Sequence, residues 1–252
     1  MFSKRRRRDI TLNNALVHET VVQSSPYLRH AYNDVYRNLL NIADAHLIEG
    51  VSLEIGGAGG FFHEQCPDIL GSDVRISQNL ALRLDGMKIP FKDQSLSRIY
   101  LKDSLHHISD VEAFFQEARR CLKPGGGIIC AEPYWGPMAQ LVYRFAHPED
   151  FNSKATTWKF DVNSPFDSNQ ALLFLLLRKR RLDFIRDFPE IEIIEGLPIT
   201  GPSYILSGGA SRKSLLPESF LIRLANGENK TVFWRRIGAL SYTTVFRVRP
   251  LR

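Results

Sequence analysis

Residues 51–60 read VSLEIGGAGG, an apolar run that ends in a glutamate and a turn with four glycines in five positions. This order is typical of the first strand of an α/β domain, followed by a turn that brings the backbone close to a nucleotide-containing ligand. A P-loop is excluded because no Gly-Lys-Ser/Thr end follows, and GxGxxG fails because Phe62 takes the place of its last glycine. The carboxylate of Glu54 would repel a pyrophosphate, and it suits a cationic, amino-acid-bearing ligand.

Strand and helix patterns alternate on both sides of this turn, which is typical of a parallel sheet covered by helices. A helix is predicted over 24–47, with Ser25 as its cap and Pro26 in its first turn. Another is predicted over 110–122, with Asp110 as its cap and KPGGG at 123–127 as its end. The seven predicted strands are 51–55, 68–73, 80–85, 97–103, 126–133, 190–196 and 241–250.

The composition fits one globular domain, because 252 residues with 44% hydrophobic content can bury a large core. Three widely spaced cysteines without a CxxC pair predict neither a disulfide framework nor a zinc knuckle, and they favour a reducing, cytoplasmic compartment. The longest apolar run, ALLFLLL at 171–177, is shorter than the roughly 20 residues that cross a bilayer. We therefore expect a soluble chain.

The formal charge of +6 is concentrated at one end of the chain. Residues 4–8, KRRRR, supply five positive charges, and the remainder is close to neutral, with 28 basic and 27 acidic residues. We expect residues 1–22 to form a basic tail and linker, and residues 23–252 to form the single domain. The tail is interpreted as a solvated end, with peripheral contact to an acidic membrane as the alternative.

Several motifs occur in order between residues 51 and 133. LEIGGAGG reads as hydrophobic residues, an acidic residue and a G-x-G-x-G turn with Ala58 in the middle glycine place. Downstream, DILGSD ends at Asp73, RLDGMKIPF covers 83–91, and LKPGG precedes the fifth strand. Together these motifs resemble the class I S-adenosylmethionine-dependent methyltransferases, in the branch that includes quinone-biosynthesis and many small-molecule methyltransferases. Alanine is a mild replacement for a glycine that needs no positive φ, so we expect the turn to keep its form.

The resemblance implies a Rossmann-like methyltransferase fold, an α/β, doubly wound, mostly parallel seven-stranded sheet with an antiparallel last strand. It also implies S-adenosyl-L-methionine as the cofactor, bound by the half of the domain at 51–133. Asp73 would accept from the ribose hydroxyls and Asp85 from the adenine amino group, and both can also cap helices. The cofactor-binding residues that the resemblance implies are Glu54, Gly56, Gly57, Gly60, Asp73, Val74, Asp85, Gly86, Met87 and Lys102.

Two histidines, His106 and His107, follow the fourth predicted strand, at the sheet edge where ligands bind. We expect adjacent histidines to point in different directions, and no Cys, His or carboxylate cluster lies at ligand spacing, so we predict no metal site. A sulfonium donor is already activated, so the protein chiefly aligns the acceptor. A general base would add about 10²- to 10⁴-fold for a hydroxyl acceptor. The candidates are His107, His106, Glu132 and Tyr134, and we predict His107.

The segments 134–190 and 197–241 interrupt the strand pattern and are predicted to cap the acceptor. Within the first, ALLFLLL adjoins the basic residues 178–181; we favour a buried helix over an interfacial segment for a lipid-linked acceptor. The predicted function is methyl transfer from S-adenosylmethionine to a small-molecule, sugar or lipid-linked acceptor, at oxygen, by in-line displacement. The alternatives are a nucleic-acid methyltransferase, which the near-neutral body disfavours, and a non-catalytic partner protein that binds the cofactor.

Overall fold

The computed structural model describes residues 21–75, 79–145, 147, 149–160, 167–209, 214, 216–228, 230 and 232–250. Its centre is a seven-stranded sheet in the order β3-β2-β1-β4-β5-β7-β6. The strands are β1 Ser52–Ile55, β2 Ile69–Asp73, β3 Leu82–Arg83, β4 Leu96–Lys102, β5 Leu122–Pro133, β6 Ile191–Ile199 and β7 Ser241–Val248. Strands β1 to β5 pair in parallel, and β7 lies antiparallel between β5 and β6. The predicted α/β architecture with its antiparallel last strand is confirmed.

The central strands are buried on both faces, which explains their continuous apolar character. All four residues of β1 and six of the seven residues of β4 are buried. Such strands need helices on both faces of the sheet. The strand order reverses between β1 and β4, and in sheets of this kind ligands bind in the crevice at that point, outside the carboxyl ends of the strands.

Both predicted helix starts are confirmed by their caps. Helix α1, Pro26–His46, begins after Ser25, whose hydroxyl accepts the Leu28 N–H at 3.2 Å. Helix α3, Val111–Cys121, begins after Asp110, whose carboxylate accepts the Ala113 N–H at 3.0 Å. Further helices among the described residues are α2 Phe61–Gln65, α4 Pro137–Phe145, α5 Leu172–Phe174, α6 Arg181–Asp187, α7 Pro202–Leu206, α8 Glu218–Glu228 and α9 Val232–Gly238. A 3₁₀ turn covers Leu105–His107, and a π-helical turn, Leu175–Lys179, continues α5.

The two faces of the sheet carry different aromatic cores. On one face, α1 stacks Tyr36 on Phe62 of α2, with ring centroids 4.4 Å apart. On the other face, Phe115 of α3 contacts Phe184 of α6 and Phe246 of β7, at centroid distances of 4.9 and 5.0 Å. Helices therefore cover both faces of the sheet, and the carboxyl ends of its strands remain available for a binding site.

Several predicted boundaries differ from the structure, most clearly at KPGGG, in β3 and at the end of β6, which continues to Ile199 and so into the predicted segment 197–241. KPGGG was expected to separate helix from strand, but α3 ends at Cys121 and the glycine run already belongs to β5. Leu122 pairs with Leu96 and Gly127 pairs with Arg98, so the residues between them are accommodated as a bulge. Strand β3 is reduced to two residues of the predicted 80–85, because it pairs with β2 only at Ser72 and Asp73.

The apolar segment 171–177 is buried, as favoured from the sequence. Six of its seven side chains are at most 2% exposed. Of the basic residues that follow, Arg178 and Arg181 both form ion pairs with Glu195 of β6. No helix among the described residues is long and apolar enough to cross a bilayer. The basic tail at 4–8 lies outside the described residues.

Candidate functional site

The predicted cofactor residues meet at one edge of the sheet. Glu54 lies in β1, Asp73 ends β2, Asp85 follows β3 and Lys102 ends β4. Because these strands are parallel, their carboxyl ends face the same crevice, at the point where the strand order reverses. Val74 also lies at this edge, after β2, with 52% of its surface exposed.

Glu54 is a buried carboxylate whose hydrogen-bonding capacity is not satisfied. The residue is 2% exposed, and within the described part of the chain its Oε2 atom has no hydrogen-bond partner. Burial raises the pKa of Glu54 to about 8, against the opposing effect of the Lys102 charge. An unpaired buried carboxylate is costly, and such an atom is explained by a group that is bound during function.

The glycine turn is shaped so that its backbone passes close to Glu54. Gly56 and Gly60 have φ of +78° and +80°, which favours glycine. A Cβ added at Gly57 would lie 2.6 Å from Glu54 Oε2, and one at Gly60 would lie 2.9 Å from the Asn79 carbonyl oxygen. The turn therefore keeps the space beside the unpaired carboxylate oxygen free of side chains.

Ala58 departs from the expectation for this turn. Its φ is +45°, so the middle position does require the left-handed region that alanine rarely adopts. The Ala58 N–H donates to Asp73 Oδ2 at 3.1 Å. This bond joins the turn after β1 to the end of β2.

Asp73 is already surrounded by donors from its own chain. Its Oδ1 accepts the Arg75 N–H at 2.8 Å and Arg75 Nε at 3.0 Å. Its Oδ2 accepts Ala58 N–H and one terminal nitrogen of Arg75, both at 3.1 Å. Burial opposes ionisation, but the bonds from Arg75 hold the pKa of Asp73 below its usual value. A ribose could therefore bond to Asp73 only after Arg75 had moved.

Asp85, Gly86 and Met87 form a tight turn after β3. Asp85 Oδ1 accepts the Met87 N–H at 2.9 Å, and Gly86 is buried against Phe114 and Ile55. The Met87 sulfur accepts a hydrogen bond from Ser109 Oγ at 3.5 Å. The Asp85 carboxylate thus fixes the conformation of the backbone that, by the resemblance, would lie along the adenine ring.

Lys102 is a largely buried cation near Glu54. Its ammonium lies 3.9 Å from the centre of the Tyr32 ring and 2.5 Å from Asp103 Oδ2. Burial would lower the pKa of Lys102, but Asp103 raises it above its usual value. An acidic and a basic group therefore stand together at the ends of β1 and β4.

The two histidines converge on one carboxylate, contrary to the expectation that they point in different directions. Their ring centroids are 4.3 Å apart. His106 Nε2 lies 3.6 Å from Glu149 Oε2, and His107 Nε2 lies 4.0 Å from Glu149 Oε1. Both histidines lie in the 3₁₀ turn Leu105–His107.

His106 is hydrogen-bonded to Glu132 of β5. Its Nδ1 donates to Glu132 Oε2 at 2.6 Å, and Glu132 Oε1 accepts the N–H groups of Ser104 and Leu105. Burial would lower the pKa of His106, but Glu132 and Glu149 raise it to about 10. Burial and the neighbouring His106 charge lower the pKa of His107 to about 4. His107 is therefore neutral at pH 7.

Glu149 and its partners were missed by sequence reasoning. Glu149 Oε2 accepts hydrogen bonds from Ser168 Oγ, at 2.8 Å, and from Gln170 Nε2. Burial would raise the pKa of Glu149, but His106 and His107 hold it well below its usual range. No local sequence pattern identifies these residues, because they lie more than 40 positions from the histidines. They meet the histidines only through the tertiary fold.

Tyr134, the remaining candidate base, belongs to an aromatic group. Its ring stacks on Tyr242 at 5.4 Å and contacts Trp135 at 5.0 Å. Of the four candidates, His106, His107 and Glu132 are therefore linked in one cluster, and Tyr134 packs on other aromatic rings.

Comparison with protein families and curated proteins identifies related sequences. Residues 53–130 match the model of a methyltransferase domain family. The chain is similar to demethylmenaquinone methyltransferase of Streptomyces griseus, 38% identical over 56 residues that cover 21% of this chain and 24% of that protein. It is similar to the corresponding protein of Tropheryma whipplei, 32% identical over 74 residues that cover 29% and 26%. The chain thus matches about a quarter of the length of these curated relatives.

The comparison with solved structures concerns the fold. A chain of the complex between the Haloferax volcanii Trm112 methyltransferase activator and the putative methyltransferase superposes with a TM-score of 0.50. The sequence identity is 15%, and the match covers 89% of this chain and 94% of that one. Together, the domain match, the curated relatives and the fold confirm the resemblance to class I methyltransferases.

Proposed function

We propose that this chain, which combines a methyltransferase-domain match with the class I fold, transfers a methyl group from S-adenosylmethionine to an oxygen of a small-molecule, sugar or lipid-linked acceptor. The observation that carries the proposal is the unpaired, buried Oε2 atom of Glu54 beside a turn without side chains. An ammonium group is the partner that such an oxygen lacks. The methyltransferase-domain match over 53–130 supports the same reading.

The acidic Glu54 and the basic Lys102, at the ends of β1 and β4, match the two charged groups of an amino acid. Glu54 would bind the ammonium of the cofactor's methionine part, and Lys102 would bind its carboxylate. The turn at Gly56, Gly57 and Gly60 would let the backbone approach the same part. Each charge would thereby meet an opposite charge in a site largely shielded from water, where such contacts are strong.

The nucleoside part would lie along the ends of β2 and β3. Asp73 would accept from the ribose hydroxyls once Arg75 releases it, and Val74 would contact the sugar. Asp85 would accept from the adenine amino group, while the backbone of Gly86 and Met87 lies along the ring. When bound, the cofactor supplies a methyl group on a positively charged sulfur that is already a good leaving group.

The chain itself contributes orientation, water exclusion and a proton acceptor. The acceptor oxygen must lie in line with the methyl group, and holding it there removes much of the entropic cost of the transfer. His107 stands after β4 with a neutral imidazole, and we assign it the proton that the acceptor hydroxyl loses. The segments 134–190 and 197–241 would cover the acceptor and exclude water.

Cofactor binding tests the first half of this proposal. Native mass spectrometry of the full chain should find co-purified S-adenosylmethionine or S-adenosylhomocysteine, and added cofactor should raise the melting temperature. Glu54→Gln should abolish this shift, whereas Glu64→Gln on α2 should keep it. If neither the native spectrum nor the thermal shift reveals binding, both the enzymatic reading and the reading as a cofactor-binding partner protein are wrong.

Radiolabelled methyl transfer tests the second half. We expect label from S-adenosylmethionine to enter a small-molecule, glycan or lipid fraction of a lysate. Labelled nucleic acid would instead establish the alternative substrate class, and binding without labelling of any fraction would favour a non-catalytic partner protein. With the acceptor in hand, His107→Ala should lower single-turnover transfer by about 10²-fold or more, and normal turnover would refute the assignment of His107.

A further inference from the structure

The histidine cluster has the composition of a metal centre. His106, His107 and Glu149 each offer one ligand atom, and these atoms lie within 4.8 Å of one another. Contrary to the absence of a metal site predicted from the sequence, we propose that these three side chains form a binding site for a divalent transition-metal ion, with zinc as the best match. None of the three side chains is among the residues that we assign to the cofactor, and the proposal stands whether or not the chain transfers methyl groups.

The donor set favours zinc over the hard cations. Two imidazole nitrogens and one carboxylate oxygen are the protein ligands of one known type of catalytic zinc site, in which the fourth position is open to water or substrate. Magnesium and calcium prefer sites made of oxygen ligands, so two imidazoles argue against them.

The distances require a small contraction around the ion. A tetrahedral ion with ligands at about 2.0–2.1 Å spaces its ligand atoms about 3.4 Å apart. His106 Nε2 lies 3.6 Å from Glu149 Oε2 and His107 Nε2 lies 4.0 Å from Glu149 Oε1, so one carboxylate oxygen reaches the ion together with both nitrogens only after the three side chains move closer. The side chains of His107 and Glu149 are 27% and 24% exposed, so both lie on the solvent-facing side of the cluster, where such shifts are feasible.

Neighbouring side chains already fix the orientation of two of the three ligands, His106 and Glu149. His106 Nδ1 donates to Glu132 Oε2, which directs the lone pair of the neutral imidazole to Nε2, the atom that faces Glu149. Metal-binding histidines almost always donate their other N–H to such an acceptor. Glu149 Oε2 is fixed by Ser168 and Gln170.

The charges also suit a cation. Two carboxylates, Glu132 and Glu149, converge on this cluster, and a divalent ion that replaces the Nε2 proton of His106 would balance both. A bound ion would occupy His107 Nε2, so it would compete with the role of proton acceptor that we assign to His107. Zinc should therefore inhibit methyl transfer, and a chelator should reverse the inhibition.

Direct binding measurements on the full chain test the site without reference to activity. Protein dialysed against a chelator and freed of it is titrated with ZnCl₂ by calorimetry, and with CoCl₂ by visible absorption. We expect one equivalent bound, with at least about tenfold weaker affinity in His107→Ala and Glu149→Gln. Glu132→Gln, which alters the support of His106 and leaves the three ligands in place, should weaken binding by about 10- to 100-fold.

His46→Ala is the matched control, because His46 is an exposed histidine in the last turn of α1. Its affinity for zinc should equal that of the unchanged chain. Circular dichroism and thermal melts establish that each variant is folded, and Glu149→Gln preserves the size of its side chain. The proposal is overturned if no ion binds, or if the site variants bind as tightly as His46→Ala.

Discussion

A methyl group added to Gly57 would lie 2.6 Å from Glu54 Oε2, so the glycine and the carboxylate define one small volume between them. That distance is shorter than a normal contact between a carbon and an oxygen atom. Glycine is therefore required at position 57 by the space beside Glu54. The volume is where we place the ammonium group of the cofactor.

Gly57→Ala should accordingly block cofactor binding while the chain stays folded. The added Cβ also lies 3.2 Å from the Leu80 side chain, so the crowding is local. Calorimetry should show an affinity for S-adenosylhomocysteine at least about tenfold, or about 1.4 kcal/mol, weaker. Gly227→Ala in α8 is the control, because nothing lies within 4 Å of its Cβ; it should keep the affinity and stabilise the helix by about 0.5–1 kcal/mol. Equal affinities for both variants would contradict this placement.

Glu54→Gln should change how stability depends on pH. The folded chain holds the pKa of Glu54 at about 8, above its usual 4.5, so between these values the folded state binds a proton that the unfolded state has lost. The free energy of unfolding should therefore fall as the pH rises through this window, by at most about 1.4 kcal/mol per pH unit. The glutamine variant lacks this pH-dependent contribution to the free energy of unfolding, so it should become the more stable of the two proteins near pH 8. Urea denaturation without cofactor at pH 5.5 and 8 measures the difference, and parallel losses in both proteins would show that Glu54 is not the cause.

Arg75→Ala should strengthen cofactor binding. Arg75 occupies acceptor positions of Asp73 that we assign to the ribose, and it must leave before the ribose can bind. Because the Arg75 side chain is 39% exposed, this competition is worth about 0–1 kcal/mol, or up to about fivefold in affinity. Calorimetry with S-adenosylhomocysteine checks this, with exposed Arg29→Ala as control. Weaker binding in Arg75→Ala would instead make the guanidinium part of the site.

The sequence predicted the parts of the fold that depend on local patterns. The caps Ser25 and Asp110 and the succession of strands along the chain follow from neighbouring residues, and the structure has both caps where expected. The φ of Ala58 was not predictable, since composition does not reveal the conformation that tertiary bonds impose. The approach of Glu149 to the histidines depends on the path of a 40-residue segment, which no periodicity encodes.

Lys102→Met should separate recognition of the amino acid from recognition of the nucleoside. We assign the Lys102 ammonium to the methionine carboxylate, and methylthioadenosine lacks that part of the cofactor. The variant should bind S-adenosylhomocysteine at least about tenfold more weakly and methylthioadenosine unchanged. Asp85→Asn, which alters the contact to adenine, should weaken both ligands, and Lys92→Met on the exposed surface should weaken neither. If Lys102→Met reduced the affinity for both ligands equally, the assignment of Lys102 to the methionine carboxylate would be wrong. The ammonium would then act by stabilising the crevice through its contacts with Asp103 and Tyr32.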